Sequence, residues 1–495
     1  MTRVPNKLTS IDMRAKSILV ISGIFAQYGI LFVTGILVAR FLGPELLGRY
    51  QLGISITAVL SVFAQLGFNQ GIVKFVPFFR KRKQFSEVNR IMRASFTISG
   101  MVALSIAILL VGFSEFFSIL FFHDLSMKGI VRYSGLYLIV YNSTQLIVAF
   151  FDSYEKQIIQ TLVYKFGGSL LFLGALIYLI FFRFSDSETL LLYRIIVDLV
   201  VMLCLVFIWK FWINERSVDP QNNDCHFHIK DLVGFSFPLL LSNAIQVLIM
   251  NIDILMIGWF MTANDVGVYT IYVMISRIGL LVLTAMNSII APMISGCQSD
   301  ADAIQQYERI LKGSTRLLAW ISANILLLTI MFSDQILGLL GTEYLSDQIV
   351  LWILTLGTFI HLASGPTGTF LVMSGNQKVE LGNSVFLMIS NIVLNAVFIP
   401  FYGIVGAAIA TTISIALNKT GKTIQVFKLF RIFPFDFSIA KRILVLTILL
   451  AVYFAIHMQT FDSNLLYPWI LVIILAIMNI DVIKLCLSRC IYMGK

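Results

Sequence analysis

The sequence predicts an all-α integral membrane protein with about fourteen transmembrane helices. Apolar residues make up 58% of its 495 residues and charged residues only 13%, against roughly 25% charged in soluble proteins. Mean hydropathy is +0.89. The apolar residues form runs of about 20, the length with which a helix crosses a hydrocarbon core. A membrane barrel would instead alternate over segments of about ten residues. This composition excludes a water-soluble enzyme and a disordered chain.

The predicted spans follow one another through short polar connections. An even number of spans places both termini on one side of the membrane. Gly365-Pro366-Thr367-Gly368 interrupts the tenth span and predicts a kink there. The fourteen predicted segments are 17–40, 48–73, 94–114, 129–151, 158–182, 189–212, 232–260, 267–295, 314–333, 347–373, 379–400, 403–427, 440–457 and 465–487.

The basic residues assign the side on which the termini lie. With the N-terminus in the cytoplasm, most of the 36 Lys and Arg fall in the cytoplasmic connections, as the positive-inside rule requires. The run Arg80-Lys81-Arg82-Lys83 predicts contact with anionic lipids at the cytoplasmic face. The first apolar run is too long for a cleaved signal peptide. We therefore expect a multi-pass protein of the plasma (inner) membrane with both termini cytoplasmic.

An internal repeat relates the first two spans to the seventh and eighth. At a constant offset of 219 residues, Phe41 matches Phe260, Gly48 matches Gly267 and Tyr50 matches Tyr269. Six spans separate the two starts, so the halves share one orientation and predict two parallel six-helix bundles around a central cavity, as in many transporters. The predicted divisions are 1–212 for the N-terminal bundle, 213–231 for a cytoplasmic linker, 232–430 for the C-terminal bundle, and 431–495 for two additional helices and a cytoplasmic tail.

The chain carries no motif for catalysis or for a cofactor. A phosphate-binding P-loop is absent, and the five Cys have the spacing of neither a disulfide framework nor a zinc site. The only Cys/His cluster, Cys225–His228, lacks the second half of a metal site. The net charge of +10 lies in the connections between spans, so a nucleic-acid partner is not expected. We expect a transporter, not an enzyme, with no metal and no cofactor.

Several short stretches form a set that points to a family. They are Ala39–Pro44 with Gly48-Arg49-Tyr50 in the first hairpin, Leu66–Gln70 before the basic stretch from Lys74, Phe235–Leu239 with Asp253 in the seventh helix, and Gly267-Val268-Tyr269 at the start of the eighth. Together they resemble the polysaccharide transporter family. This group includes the O-antigen flippases and belongs with the multidrug and toxic-compound extrusion transporters. The resemblance covers nearly the whole chain in topology.

The resemblance implies a flippase for lipid-linked oligosaccharides. Such a protein moves a polyprenyl pyrophosphate that carries sugars from the inner to the outer leaflet, by alternating access, for polysaccharide biosynthesis and export. The family precedent makes a monomer reasonable, and a polysaccharide polymerase is a further expected partner. The pyrophosphate would need Arg or Lys in a wet cavity, and the sugars would need polar and aromatic side chains.

Polar and charged residues within or beside the spans are the candidates for these roles. A charge at mid-helix costs about 2.5–3.5 kcal/mol on insertion scales, so each one requires an explanation. The candidates for the pyrophosphate and sugar cavity are Arg277, Lys165, Arg194, Arg40, Gln27, Gln246 and Asn243. The candidates for coupling to H⁺ or Na⁺ are Asp253, Asp198 and His361.

Each candidate also has a structural interpretation. Arg277 and Asp253 on neighbouring helices can form an ion pair, and Arg194 and Asp198 lie four residues apart on one helix face. Lys165 can extend to the cytoplasmic surface. The remaining candidates have packing or folding roles open to them: Arg40 can fix the first outer hairpin, His361 can be a hydrogen-bonded packing group, and Gln27, Gln246 and Asn243 can bond helix to helix.

Two other functions remain open from the sequence. An ion-coupled exporter of drugs or cations, from the related extrusion group, would use carboxylates and aromatic residues in its cavity, and Asp253 and Asp198 suit it. A membrane glycosyltransferase or polymerase would need large outer loops with catalytic groups, and the predicted outer connections are short. Arg277 and Lys165 favour the flippase.

Overall fold

The computed structural model describes residues 7–182, 186–213, 229–297 and 302–435. Every regular element in these ranges is a helix, which confirms the predicted all-α class. Ten helical stretches of this described part are long and apolar enough to cross a membrane. The predicted spans 440–457 and 465–487 lie outside the described residues, as does most of the predicted linker 213–231. The total of fourteen spans stays a prediction.

Two very long helices each contain two of the predicted spans. Helix α1 (Lys7–Gln65) breaks at Gly43, where φ is 79° and ψ is 171°. The last helix of the described chain, Gln377–Phe430, breaks in the same way at Gly403, where φ is 58° and ψ is −137°. Glycine adopts positive φ without the steric penalty of a side chain. Each helix therefore divides into two segments long enough to cross a bilayer.

The second predicted span ends earlier than expected. The sequence predicts that it extends to residue 73, but α1 ends at Gln65 and a separate helix α2 (Phe68–Lys81) follows. Gly67 adopts the left-handed conformation at this corner, with φ of 74°. Phe68, Ile72 and Val76 form one buried face of α2. Their spacing is helical, but because apolar residues continue without a break from the second span, the sequence alone predicts one longer span.

Six more helices complete the first part of the chain. They include a π-helical stretch, Thr161–Gly167, that continues α6 into α7, and the other long helices match the predicted spans. The helices are α3 (Phe85–Gly112), α4 (Ser114–Phe122), α5 (Lys128–Ser153), α6 (Gln157–Gln160), α7 (Gly168–Phe181) and α8 (Ser187–Ile208).

The second part of the chain repeats this pattern of spans and short helices. A 3₁₀ turn, Arg277–Gly279, separates α10 from α11, and the predicted interruption at Gly365 separates α14 from α15. The helices are α9 (Ile229–Phe260), α10 (Ala263–Ser276), α11 (Leu280–Gly296), α12 (Ala303–Met331), α13 (Ser333–Leu340), α14 (Gln348–Ala363), α15 (Thr367–Met373) and α16 (Gln377–Phe430).

The described residues form two compact units. The first comprises the chain up to Met274 together with Ser384–Ala410, and the second comprises Ile275–Asn383 together with the chain from Thr411. Each unit has its own apolar core. In the first, Phe68 and Ile72 of α2 pack with Phe150 of α5, and in the second, Ile294, Leu311 and Phe370 pack together. The predicted bundle boundaries divide the chain differently and stay a prediction.

The two repeated hairpins contact each other reciprocally within the first unit. A Cβ on Gly48 would lie 1.7 Å from the carbonyl oxygen of Ala263, and a Cβ on Gly267 would lie 1.8 Å from that of Pro44. These two contacts exchange under the 219-residue offset of the repeat. A twofold relation between like elements produces such a pairing, in which residue i contacts j and j contacts i. Glycine at both positions lets the backbones approach this closely.

Candidate transport site

A closed hydrogen-bonded set surrounds Arg194 in the first unit. Its Nε donates to Asp198 Oδ2 and to Tyr137 Oη, each at 3.2 Å, and Tyr137 Oη donates to Asp198 Oδ2 at 2.6 Å. Asp198 is 2% exposed. The structure thus contains the i,i+4 ion pair that the spacing predicts, with a tyrosine added as a third member.

Aromatic residues from three other elements enclose this set. The guanidinium of Arg194 lies 5.1 Å from the ring centroid of Phe172, and Tyr50 stacks on that ring at 6.0 Å. Nearby, Gln145 Nε2 donates to Tyr164 Oη at 2.8 Å. Aromatic rings and amide groups of this kind suit recognition of sugar hydroxyls and ring faces.

A second polar centre in the first unit surrounds Asp253. This residue is 5% exposed. Tyr269 Oη donates to its Oδ2 at 3.2 Å, and Asn395 Nδ2 donates to its Oδ1 at 2.8 Å and to Asn391 Oδ1 at 3.1 Å. Asn395 Oδ1 is buried without a hydrogen bond. Carboxylate and amide oxygens of this kind suit a proton or a hard cation.

The polar centre of the second unit is rich in cations. Lys419 and Lys422 of α16 are 6% and 7% exposed. Lys422 Nζ lies 2.5 Å from Glu380 Oε1. Lys419 precedes Lys422 by three residues, so the two lie on one face of α16. His361 of α14 is half-buried. Two buried lysines and the carboxylate of Glu380 therefore belong to this polar centre.

An amide network fixes the two segments of α16 that carry these charges. Asn383 Nδ2 donates to Gln425 Oε1 at 2.6 Å, and Gln425 Nε2 donates back to Asn383 Oδ1 at 3.0 Å. Asn418 Nδ2 donates to the Asn383 carbonyl oxygen at 2.6 Å. This network places Glu380, three residues before Asn383, against Lys422. It also buries Asn418.

The other predicted cavity residues are dispersed. Arg277 begins the 3₁₀ turn between α10 and α11 and is partly exposed, and Lys165 lies half-buried in the π-helical stretch. Arg40 is exposed near the break in α1. The polar amides Gln27, Asn243 and Gln246 lie on α1 and α9, where Gln27 and Asn243 are half-buried and Gln246 is exposed. Pairing of Arg277 with Asp253 stays a prediction, as do the roles of these residues in substrate binding.

Sequence reasoning missed Glu380, Lys419 and Lys422. The positive-inside rule assigns both lysines to the cytoplasmic side. They nevertheless lie within the predicted span 403–427 and are buried. Their position inside a span was the available signal. Tyr137 and Tyr164 were also missed, and the sequence holds no signal for them because they reach the Arg194 set from separate helices.

An apolar cavity of about 710 Å³ lies within the first unit. Side chains of α1, α3, α4, α5, α9 and α16 line it, and all of them are apolar. Phe117, Phe121 and Trp259 contribute its aromatic wall. Such a lining suits hydrocarbon and offers nothing to a diphosphate or a sugar.

Comparison with known proteins gives the family. A family model described as "Polysaccharide biosynthesis protein" matches residues 13–298. The chain belongs to this polysaccharide biosynthesis protein family. A second model, MatE, matches residues 238–397 of this family member, so the two matched ranges overlap over 238–298. With its ten apolar spans in the described part, it is a multi-pass membrane protein.

Curated relatives of this family member come from archaea and bacteria. "Probable low-salt glycan biosynthesis flippase Agl15" of Haloferax volcanii is 26% identical over 300 residues, 58% of each chain. "Capsular polysaccharide biosynthesis protein CapF" of Staphylococcus aureus is 22% identical over 387 residues, 77% of this chain and 91% of that protein. The alignment thus spans little more than half of the archaeal relative.

Solved structures share the fold. "Lipid II flippase MurJ, inward closed conformation" matches with a TM-score of 0.71 and 15% identity over 96% of this chain and all of that one. An inward-facing multidrug resistance MATE family transporter of the MOP superfamily matches with a TM-score of 0.65 and 14% identity, over 82% of this chain and 94% of that one. At such identities the likeness concerns the fold alone.

Proposed function

We propose that this protein is a flippase that moves a polyprenyl-pyrophosphate-linked oligosaccharide from the cytoplasmic to the outer leaflet by alternating access. It acts as a transporter in polysaccharide biosynthesis and export and carries out no covalent chemistry. Relatives named as flippases, with 26% and 27% identity over parts of their length, support the choice of function.

The observation that carries the proposal is the excess of cations in the polar centre of the second unit. Lys419 and Lys422 are buried three residues apart on α16, and among the described residues the ion pair found there joins Lys422 to Glu380. Buried cations without matching carboxylates are costly unless an anion neutralises them. A pyrophosphate is such an anion. The Arg194 set and its aromatic enclosure supply polar groups suited to the sugars.

In this proposal, the ion that drives transport binds at the Asp253 centre. Asp253 is buried among Tyr269 and Asn395, and no donor within the described residues reaches Asn395 Oδ1. We propose that H⁺ or Na⁺ binds here and supplies the driving force. A buried carboxylate is costly when it is charged and unpaired. A conformational change that alters its burial therefore alters its affinity for a proton or a cation.

The protein's setting follows from the same interpretation. We place it in the plasma (inner) membrane as a monomer, with both termini cytoplasmic and a polysaccharide polymerase as a partner that uses the exported unit. Anionic lipids contact the cytoplasmic face through α2 and the following turn. There, Lys81, Arg82 and Lys83 are exposed beside exposed Val73 and Phe78, a combination typical of a membrane interface.

The test uses the host strain from which this gene has been deleted. Lipids are extracted, and polyprenyl-linked sugars are identified by mass spectrometry. We expect one complete oligosaccharide to accumulate on its carrier in the inner leaflet, and the wild-type gene to clear it. An unchanged lipid pool in the deletion strain would contradict the proposal.

The second candidate is an ion-coupled exporter of drugs or cations. The buried carboxylate of Asp253 favours it, because Asp253 and Asn395 lie within the region that matches the MatE model. "Probable multidrug resistance protein YpnP" of Bacillus subtilis is also 28% identical over 38% of this chain. New sensitivity of the deletion strain to cationic dyes, with normal lipid-linked sugars, would favour the exporter.

A further inference from the structure

Lys419 is a buried lysine whose side chain makes no hydrogen bond within the described residues. The residue is 6% exposed. Its ammonium group makes no hydrogen bond and no ion pair within the described residues, while its backbone carbonyl accepts from Thr423. Sixteen residues separate it from the break at Gly403, so it lies about 24 Å along the segment. An ammonium group at such a depth requires an anion or several polar partners.

The carboxylate beside these lysines is already engaged by Lys422. Glu380 Oε1 pairs with Lys422 Nζ at 2.5 Å, and Lys422 follows Lys419 by three residues on the same face of α16. The second oxygen, Glu380 Oε2, is buried and accepts no hydrogen bond. One carboxylate therefore balances two lysines, and it does so with half of its accepting capacity unused.

The break between α14 and α15 passes directly over this ion pair. A Cβ on Gly368 would lie 2.9 Å from Glu380 Oε1 and 3.4 Å from Lys422 Nζ. The preceding residue, Thr367, is fully buried, and its hydroxyl makes no hydrogen bond. The hydroxyl of Thr315, which faces Gly365 of the same break, is also fully buried without a hydrogen bond. Two buried hydroxyl donors are thus associated with this break.

We propose that Lys419 and Lys422 form a subsite for a diphosphate group, with Glu380 as the resident counter-ion that the ligand displaces. The Thr367 hydroxyl, beside Gly368 at the break, supplies a further donor. The inference rests on the proposed function and assigns the phosphate-binding part of it to α16 and the α14–α15 break.

A diphosphate matches these groups better than a single carboxylate does. Two ammonium groups carry six N–H donors and two charges, and a diphosphate presents several oxygens that share more than one negative charge. Lysine binds phosphate as a point charge and needs no bidentate geometry. The same chemistry serves a free diphosphate and the headgroup of a polyprenyl lipid, so the test uses both.

The test measures binding to the purified full-length protein by isothermal titration calorimetry. Inorganic diphosphate and farnesyl diphosphate are titrated separately. We expect Lys419→Met to weaken binding at least tenfold, because it removes one of two charges at the subsite. We expect Glu380→Gln to tighten binding severalfold, because the competing carboxylate is gone. Binding of both ligands would assign the subsite to the diphosphate group itself, and binding of farnesyl diphosphate alone would assign it to a lipid headgroup.

The matched control is Lys312→Met. Lys312 pairs with Glu308 on α12 at 2.6 Å and is 40% exposed, so its loss should leave both affinities unchanged. The opposite signs expected for Lys419→Met and Glu380→Gln separate binding from a general loss of folding. Unchanged affinity in both variants, or weaker binding by Glu380→Gln, would overturn the subsite. A wild-type gene that still clears the accumulated lipid from the deletion strain would then leave the proposed function standing.

Discussion

At the residue scale, the buried charges of Arg194 and Asp198 neutralise each other. Arg194 and Asp198 share Tyr137 as a common hydrogen-bond partner, so removal of either charge leaves the other inside the protein. When apolar residues of similar size replace both the cation and the anion, the free energy of unfolding changes little. The stability of this set therefore depends on the pair rather than on either residue.

Replacement of one member of the pair should be worse than replacement of both. We expect Arg194→Met or Asp198→Leu to lower the free energy of unfolding by about 3 kcal/mol, the lower end for a buried pair, because the Arg194 side chain is 20% exposed. The double variant should recover much of this loss. Thermal unfolding of the four proteins in detergent, followed by fluorescence, forms the double-mutant cycle. Additive losses would show that the two side chains are not coupled.

The Asp253 centre should matter for transport more than for folding. Asp253→Asn keeps the side-chain shape and one acceptor for Tyr269 or Asn395 but removes the charge. We expect ion-driven transport of the lipid-linked sugar in vesicles to fall at least tenfold, with an unfolding temperature close to that of the wild type. Glu45→Gln is the control, since Glu45 is exposed and pairs with Arg49. Transport by Asp253→Asn at the wild-type rate would exclude this carboxylate from coupling.

At the element scale, glycine positions decide where the long helices break and where they meet. Gly43 and Gly403 adopt positive φ, and Gly48 and Gly267 allow backbone contact between the repeated hairpins. The break positions are signalled in the sequence by nearby prolines, Pro44 and Pro400. The contact is signalled only by the repeat, because nothing local at Gly48 indicates its partner.

A methyl group at Gly48 should separate the two hairpins. Gly48→Ala places its Cβ 1.7 Å from the Ala263 carbonyl oxygen, and we expect a loss of about 1–3 kcal/mol, as for other overpacked sites. Gly267→Ala should have a similar effect because its contact with Pro44 is reciprocal. The measurement is the unfolding temperature in detergent. Gly100→Ala on α3 is the control, since its Cβ would meet nothing within 4 Å and alanine favours helix.

At the scale of the whole molecule, apolar side chains face outward as well as inward. Phe181 and Phe401 are 81% and 79% exposed, as lipid-facing residues are. In a soluble protein such exposure would mark an interaction surface, but in a membrane it is the expected state. Hydropathy thus locates spans and does not distinguish their lipid face from their packed face.

Single cysteines should report the predicted orientation. In a variant without native Cys, we expect Asn264→Cys, in the first turn of α10, to react with a membrane-impermeant maleimide added outside intact cells. Lys83→Cys, in the basic turn after α2, should react only after the membrane is opened, because that turn is cytoplasmic in the predicted topology. Both positions are exposed. The reverse pattern of labelling would invert the orientation.

The helical class, the positions of most spans, the internal repeat and the kink at Gly365 could all be predicted from the sequence. They depend on hydropathy, on short-range backbone rules and on self-similarity. The sequence also singled out Arg194 with Asp198, since their spacing along one helix already makes them neighbours. The tertiary structure adds three contacts: Tyr137 joins that pair, Asn395 joins Asp253, and Lys422 pairs with Glu380. These contacts join residues distant in sequence. Because the helices are apolar on every side, their sequences do not indicate which sides pack against each other.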